Sequence, residues 1–223
     1  MTGAAPLTVM LVAGEPSGDA LGAQLMSALR RRTPRELRFV GLGGSAMAAE
    51  GLVPLFPLRD VAVMGLMQVG RHLPLILRRI RELVAFAAQT DPDIVVLIDS
   101  GDLNYRVARG MKAAGVTAPI VKYVSPQVWA SRQGRVKKIG AVFDHVLTLL
   151  PFEPAFYERA GVPATHVGHP VLERDILRGA GPDFRTRHGL APDQPLVTVL
   201  PGSRSSETRK LLPVFAETLV AAK

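Results

Sequence analysis

Asp99, Ser100, Asp102 and Asn104 close the stretch Pro-Asp-Ile-Val-Val-Leu-Ile-Asp-Ser-Gly-Asp-Leu-Asn at residues 92–104. The unbroken apolar run 94–98 has the pattern of a strand buried on both faces of a parallel sheet. Asp99 follows at its carboxyl end, and open α/β sheets hold their ligands just beyond the carboxyl ends of strands. The same position suits a carboxylate that caps the next helix, expected over 105–114, so placement leaves both roles open. A second polar loop has the same kind of location. Gly14-Glu15-Pro16-Ser17-Gly18-Asp19 follows the apolar run 7–13 and precedes a helical pattern over 20–32. Small residues there let a ligand approach the backbone at a helix N-terminus, where an anion is favoured. Ser17 or Asp19 would equally serve as an ordinary N-cap. The loop has neither the Gly-Lys-Ser/Thr of a Walker A nor the Gly-x-Gly-x-x-Gly of a dinucleotide site.

The elements that must carry these loops alternate strand and helix. Further short strands are expected over 37–41, 120–124, within 142–150 and over 165–167, with helical pieces over 47–51, 133–139 and from Glu153 to Arg159. Such alternation implies an α/β fold with a mostly parallel, doubly wound sheet. Residues 179–195 are rich in Gly, Pro and Asp. A buried strand over 196–200 and a helix over 206–222 then restart the pattern. The expected organisation is a first Rossmann-like domain at 1–178, with a linker and the start of a second such domain at 179–223.

Composition narrows the partners. The 223 residues hold no cysteine, so a disulfide framework and thiolate metal ligation are excluded. The formal charge of +8 suits nucleic acid, an anionic membrane surface or a phosphorylated substrate. The basic residues fall in short groups (30–32, 78–81, 132–138) without interleaved aromatics, which argues against nucleic acid. Residues 7–13 lead into a charged loop and read as a first strand, not a signal peptide. Residues 64–77 are more apolar than one buried helical stripe requires. They lie beside Arg71, Arg78, Arg79 and Arg81. This is the pattern of an interfacial membrane segment, with Leu66, Met67, Val69, Leu73, Ile76 and Leu77 as contacts. A wholly buried helix hairpin is the alternative. Ile76, Ile80, Leu83 and Val84 recur at core spacing, and Pro74 is expected to start or kink a helix.

Taken in order, the two loops above are followed by Tyr123-Val124-Ser125-Pro126-Gln127-Val128-Trp129-Ala130, Leu150-Pro151-Phe152-Glu153, Val167-Gly168-His169-Pro170 and Pro201-Gly202-Ser203-Arg204. Together these motifs resemble the bacterial lipid-A-disaccharide synthase family, over essentially the whole chain. The resemblance implies a GT-B architecture of two Rossmann-like domains. It also implies inverting transfer from UDP-2,3-diacylglucosamine to 2,3-diacylglucosamine 1-phosphate in lipid A biosynthesis. Asp99 would be the general base, with Asp102 as runner-up or orienting partner and its charge raising the pKa of the base. Substrate contacts would come from Glu15, Ser17, Gly18, Asp19, Asn104, Ser125 and Arg204, with Arg204 facing the departing UDP. His166 and His169 suit a hinge better than a base. No metal and no cofactor are expected. The family implies a cytoplasmic enzyme at the inner face of the membrane and leaves a homodimer open. Other readings are another UDP-sugar GT-B enzyme, such as a UDP-N-acetylglucosamine 2-epimerase or the lipid II transferase, or a non-catalytic domain that binds acyl-sugar phosphate or membrane. Family members are longer, so most of a donor-binding domain is expected beyond these residues. Three positions depart from the family pattern: Gly101 for Pro, Leu103 for Phe and Ser131 for Trp.

Overall fold

Each apolar run of the first half becomes a parallel strand. β1 (Leu7–Ala13) pairs on one side with β2 (Leu37–Leu42) and on the other with β4 (Ile94–Ile98), so that Leu11 lies opposite both Gly41 and Val96. β3 (Val53–Pro54) closes one edge. β5 (Ile120–Tyr123), β6 (His145–Thr148) and β7 (Ala164–His166) extend the other. The strand order is β3-β2-β1-β4-β5-β6-β7. The computed structural model describes residues 5–62, 66–130, 134–173, 181–202 and 205–221, with 66–71, 173, 205 and 206 described by backbone alone.

Successive strand residues point to opposite faces, and each face has its own helical cover. Met10, Val12, Val95, Leu97, Ile120 and Val146 pack with helices α3 (Leu66–Thr90) and α4 (Gly101–Ala113), which contribute Ile80, Leu83, Val107 and Met111. On the opposite face Val9, Leu11, Val96 and Ile98 meet Met26 of α1 (Pro16–Arg32) and Met47 of α2 (Ser45–Ala49). Two short helices, α5 (Arg135–Gly140) and α6 (Pro154–Glu158), complete the α/β alternation. The winding reverses between β1 and β4. From β1 the sheet grows toward β2 and β3, and from β4 toward β7. Ala13 and Ile98 are register partners at this reversal, so the loops that follow them emerge side by side. Such a switch point is where doubly wound sheets bind ligands.

α3 differs from the buried hairpin weighed as the alternative to a membrane segment. It is one continuous helix with Pro74 inside it. Ile76 packs against the core, because it precedes Ile80 by one helical turn on the same stripe. Leu77 is half-buried and Leu73 is 42% exposed. The side chains of Leu66, Met67 and Val69 lie outside those described. Two of the expected surface cations are engaged by acids: Arg79 bridges Asp60 at 2.6 Å and Glu82 at 2.5 Å, and Arg78 bridges Glu82 at 2.9 Å. Among the described residues no helix is long and apolar enough to cross a membrane.

The chain divides into two units, Met1–Arg174 and Asp175–Lys223. The second contains α7 (Gly181–Arg187) and α8 (Ser205–Ala221). The strand expected over 196–200 does not form, and Leu196, Val197 and Leu200 are 48%, 71% and 80% exposed. A buried strand needs neighbouring backbone to pair with its N–H and C=O groups. None of the described residues of this unit provides one.

Candidate active site at the β1–β4 switch point

Asp99 leaves β4 in an unusual conformation. Its φ is 50°, and Ser100 follows with φ 33° and ψ 66°. Non-glycine residues in the left-handed region are uncommon, and two in succession need outside support. Asn104, fully buried on α4, supplies part of it: its Nδ2 donates to the carbonyls of Ile98 at 2.9 Å and Asp99 at 2.8 Å. The Asp99 N–H donates to the Tyr123 carbonyl at 2.9 Å. From β5, the Lys122 ammonium donates to the Asp99 carbonyl. The backbone of Asp99 is thereby fixed on several sides while its side chain stays partly open. Ser17 Oγ donates to Asp99 Oδ2 at 3.3 Å. Both residues line a depression of about 330 Å³ shared with Gln24, Val124 and His169.

Lys122 was not among the residues singled out from sequence. It is 2% exposed. Burial lowers its pKa to about 7, against the opposing charges of Asp99 and Glu15. The available signal was a lone charged residue inside the apolar strand Ile-Val-Lys-Tyr. Val124, the next residue but one, has φ 73°, a genuine outlier for a β-branched side chain. Non-glycine left-handed residues therefore stand at the ends of both β4 and β5, around one depression.

The other expected site residues take several different places. Glu15 is half-buried at the N-cap of α1, and Ser17 is exposed. Gly18 is buried against Ala13 and the Ile98 carbonyl, where it brings α1 close to the sheet without lining the depression. Gly14 is confined too, since a Cβ there would strike Ser100 and Leu103. Asp19 is 5% exposed, and its carboxylate accepts from the N–H groups of Gly44 at 2.7 Å, Ala46 at 2.9 Å and Met47 at 3.0 Å. It therefore holds the start of α2, which is a structural duty in place of the expected substrate contact. Asn104 faces the backbone of Ile98 and Asp99 through its Nδ2. Ser125 is buried, sharing a 2.8 Å hydrogen bond with the hydroxyl of Tyr157. Burial pushes the Tyr157 phenol up to about 12, so it is the neutral O–H.

Asp102 is exposed on the first turn of α4. It lines a separate depression of about 220 Å³ with Tyr105, Arg135 and Lys138. Among the described residues no hydrogen bond joins it to Asp99, so the charged group held against the Asp99 loop is Lys122 and not the expected second carboxylate. His169 lines the Asp99 depression, with its Nδ1 accepting from the Val171 N–H at 3.1 Å. His166 Nε2 contacts the Leu149 carbonyl at 3.3 Å. Arg204 lies outside the described residues, as does Ser131. Among the described residues no cluster of His, Asp and Glu could hold a metal.

A doubly wound parallel sheet with its polar residues gathered at the switch point defines a Rossmann-like domain of the GT-B type. Solved structures share this fold. UDP-N-acetylglucosamine 2-epimerase from Rickettsia bellii matches with a TM-score of 0.55 and 18% identity, over 85% of this chain and 53% of its own. The corresponding enzyme from Neisseria meningitidis matches with a TM-score of 0.53 and 10% identity, over 84% and 54%. At these identities the likeness is one of fold.

The sequence itself is more specific. The family model for lipid-A-disaccharide synthetase matches residues 9–223, and the chain belongs to that family. The lipid-A-disaccharide synthase of Paramagnetospirillum magneticum is 49% identical over 96% of this chain and 55% of its own length. Those of Rhodospirillum centenum and Myxococcus xanthus are 48% and 45% identical, covering 53% and 55% of their lengths. The chain spans about half the length of these curated relatives.

Proposed function

We propose that this chain is the acceptor-side half of a lipid-A-disaccharide synthase. The whole enzyme transfers 2,3-diacylglucosamine from its UDP derivative to 2,3-diacylglucosamine 1-phosphate. The observation that supports this most directly is the Asp99 carboxylate, which lies partly open at the β1–β4 switch point on a backbone fixed by buried donors. In the proposed step Asp99 takes the proton of the acceptor 6-hydroxyl as that oxygen attacks the anomeric carbon of the donor. The bond from that carbon to the UDP phosphate oxygen breaks on the opposite face, the configuration inverts, and the proton ends on Asp99. This is the logic of the base in an inverting glycosidase, with a sugar hydroxyl in place of water. Ser17 orients the carboxylate through its hydrogen bond. Ala20, Leu21, Leu149 and Val171 give the same depression apolar walls, compatible with an acylated sugar. Arg204 belongs to the proposed UDP side, where a cation would stabilise the departing diphosphate. The enzyme would work in the cytoplasm at the inner membrane surface, where both lipid substrates are accessible.

The experiment is a transfer assay with the whole enzyme that carries this chain, supplied with UDP-2,3-diacylglucosamine and the 1-phosphate acceptor. The expected result is a diacylglucosamine disaccharide 1-phosphate and one UDP per disaccharide. Formation of free sugar, or of an epimerised UDP-sugar, with no disaccharide would contradict the proposal.

A further inference from the structure

Lys122 is a cation buried beneath the candidate base, and the transfer step above leaves it without a role. It projects from the middle of the sheet, between Leu97 of β4 and Val146 of β6 in register. Both neighbours are apolar and buried. An ammonium in such surroundings is retained against a substantial desolvation cost, so its partners decide what it does. It donates to the carbonyl of Asp99, the residue that opens the left-handed pair at φ 50° and 33°. The charges that bear on it are those of Asp99, at the end of β4, and Glu15, in the loop after β1. From α4 the neighbouring polar group is the uncharged Asn104, which holds the same carbonyl.

We propose that Lys122 is a positioning residue for Asp99, which holds the strained Asp99 peptide by hydrogen bond and balances the Asp99 and Glu15 carboxylates from beneath the site. The proposal rests on the reading of Asp99 as the base. Two effects should separate. The hydrogen bond fixes where the carboxylate points, which any donor of suitable reach would partly reproduce. The positive charge favours the ionised carboxylates, which only a cation provides.

The test is the pH profile of kcat/KM for the whole enzyme in four forms: wild type, Lys122→Met, Lys122→Gln and Asp99→Asn. Lys122→Gln retains a donor toward the Asp99 carbonyl without the charge, and it remains informative if the Met variant does not fold. The expected result is a kcat about tenfold or more below wild type in the Lys122 variants, with KM within a few-fold. Their acid limb should move to higher pH, the direction expected when an opposite charge is lost. Melting temperatures near wild type would show that the fold is intact. An acid limb at the wild-type position in the Gln variant, with Asp99→Asn inactive, overturns the role of Lys122 and leaves Asp99 as the base. Wild-type transfer by Asp99→Asn overturns the base assignment and this inference with it.

Discussion

Asp19 shows how one carboxylate can hold two segments together. Its oxygens accept from three backbone N–H groups of residues 44–47, which begin α2 and have no other cap: Gly44 at the N-cap position has no side chain to offer. Asp19→Ala should therefore destabilise the first unit by about 1–3 kcal/mol, the cost of leaving buried donors unsatisfied. A urea denaturation midpoint that falls at unchanged slope would register this. A midpoint equal to wild type would mean that water replaces the carboxylate at no cost. This duty was not legible in the sequence, because the partners lie 25–28 residues away and an Asp in the first turn of a helix looks the same whether it meets substrate or backbone. Asp99 was legible because an apolar run ending in a carboxylate locates itself at the end of a strand. Lys122 was overlooked although its strand was recognised; one charge in a four-residue strand was an available signal that only the structure made plain.

At the scale of the element, α4 begins earlier than its apolar periodicity suggests. Gly101 and Asp102 belong to the helix, and Ser100 is its left-handed N-cap. A family-like Pro at position 101 would conflict with this start, because the residue before a proline is pushed toward extended backbone. Ser100 is at φ 33° and ψ 66°, so Gly101 is consistent with the conformation of the Asp99 loop. Nothing lies within 4 Å of a Cβ built on Gly101, and its φ is not positive. Gly101→Ala should therefore raise stability by about 0.4–1 kcal/mol, by reducing the freedom of the unfolded chain, while Gly101→Pro should lower it. Paired melting curves of the two variants test this, and a stabilising Pro would show that the Ser100 backbone is not held as described. α3 carries a related lesson. Its apolar excess suggests a membrane surface; within it Ile76 faces the core, and Arg78 and Arg79 face Asp60 and Glu82. Periodicity locates a stripe but cannot say how wide the core beside it is. Leu83, fully buried on that stripe, should cost about 2–5 kcal/mol when changed to Ala.

At the scale of the whole molecule, the parallel sheet was legible through its apolar runs, whereas β3 was not. Two residues including a proline make no pattern, and β3 exists because β2 offers it an edge. The apolar run 196–200 failed for the opposite reason: burial was inferred from composition, but a strand also needs neighbours. The buried lysine has a consequence for the entire fold. Its folded pKa of about 7 lies below the ordinary lysine value near 10.4, so between these values the unfolded chain binds the extra proton. Stability must then rise with pH across that window, and below pH 7 the cost of burying the charge is carried in full. Relative to Lys122→Met, the wild type should gain at most about 1.4 kcal/mol per pH unit between roughly pH 7 and 10. Parallel stability curves for the two proteins over this range would contradict the burial of the charge.

All these scales meet at Asp99, and the most direct measurement is the transfer rate of the whole enzyme with Asp99→Asn. The substitution preserves shape, and the Asp99 backbone retains its donors from Asn104 and Lys122. Loss of a general base should lower kcat by about 10²–10⁴-fold, with substrate binding and melting temperature close to wild type. A variant that transfers diacylglucosamine within a few-fold of the wild-type rate would contradict the assignment of the chemistry to the β1–β4 switch point.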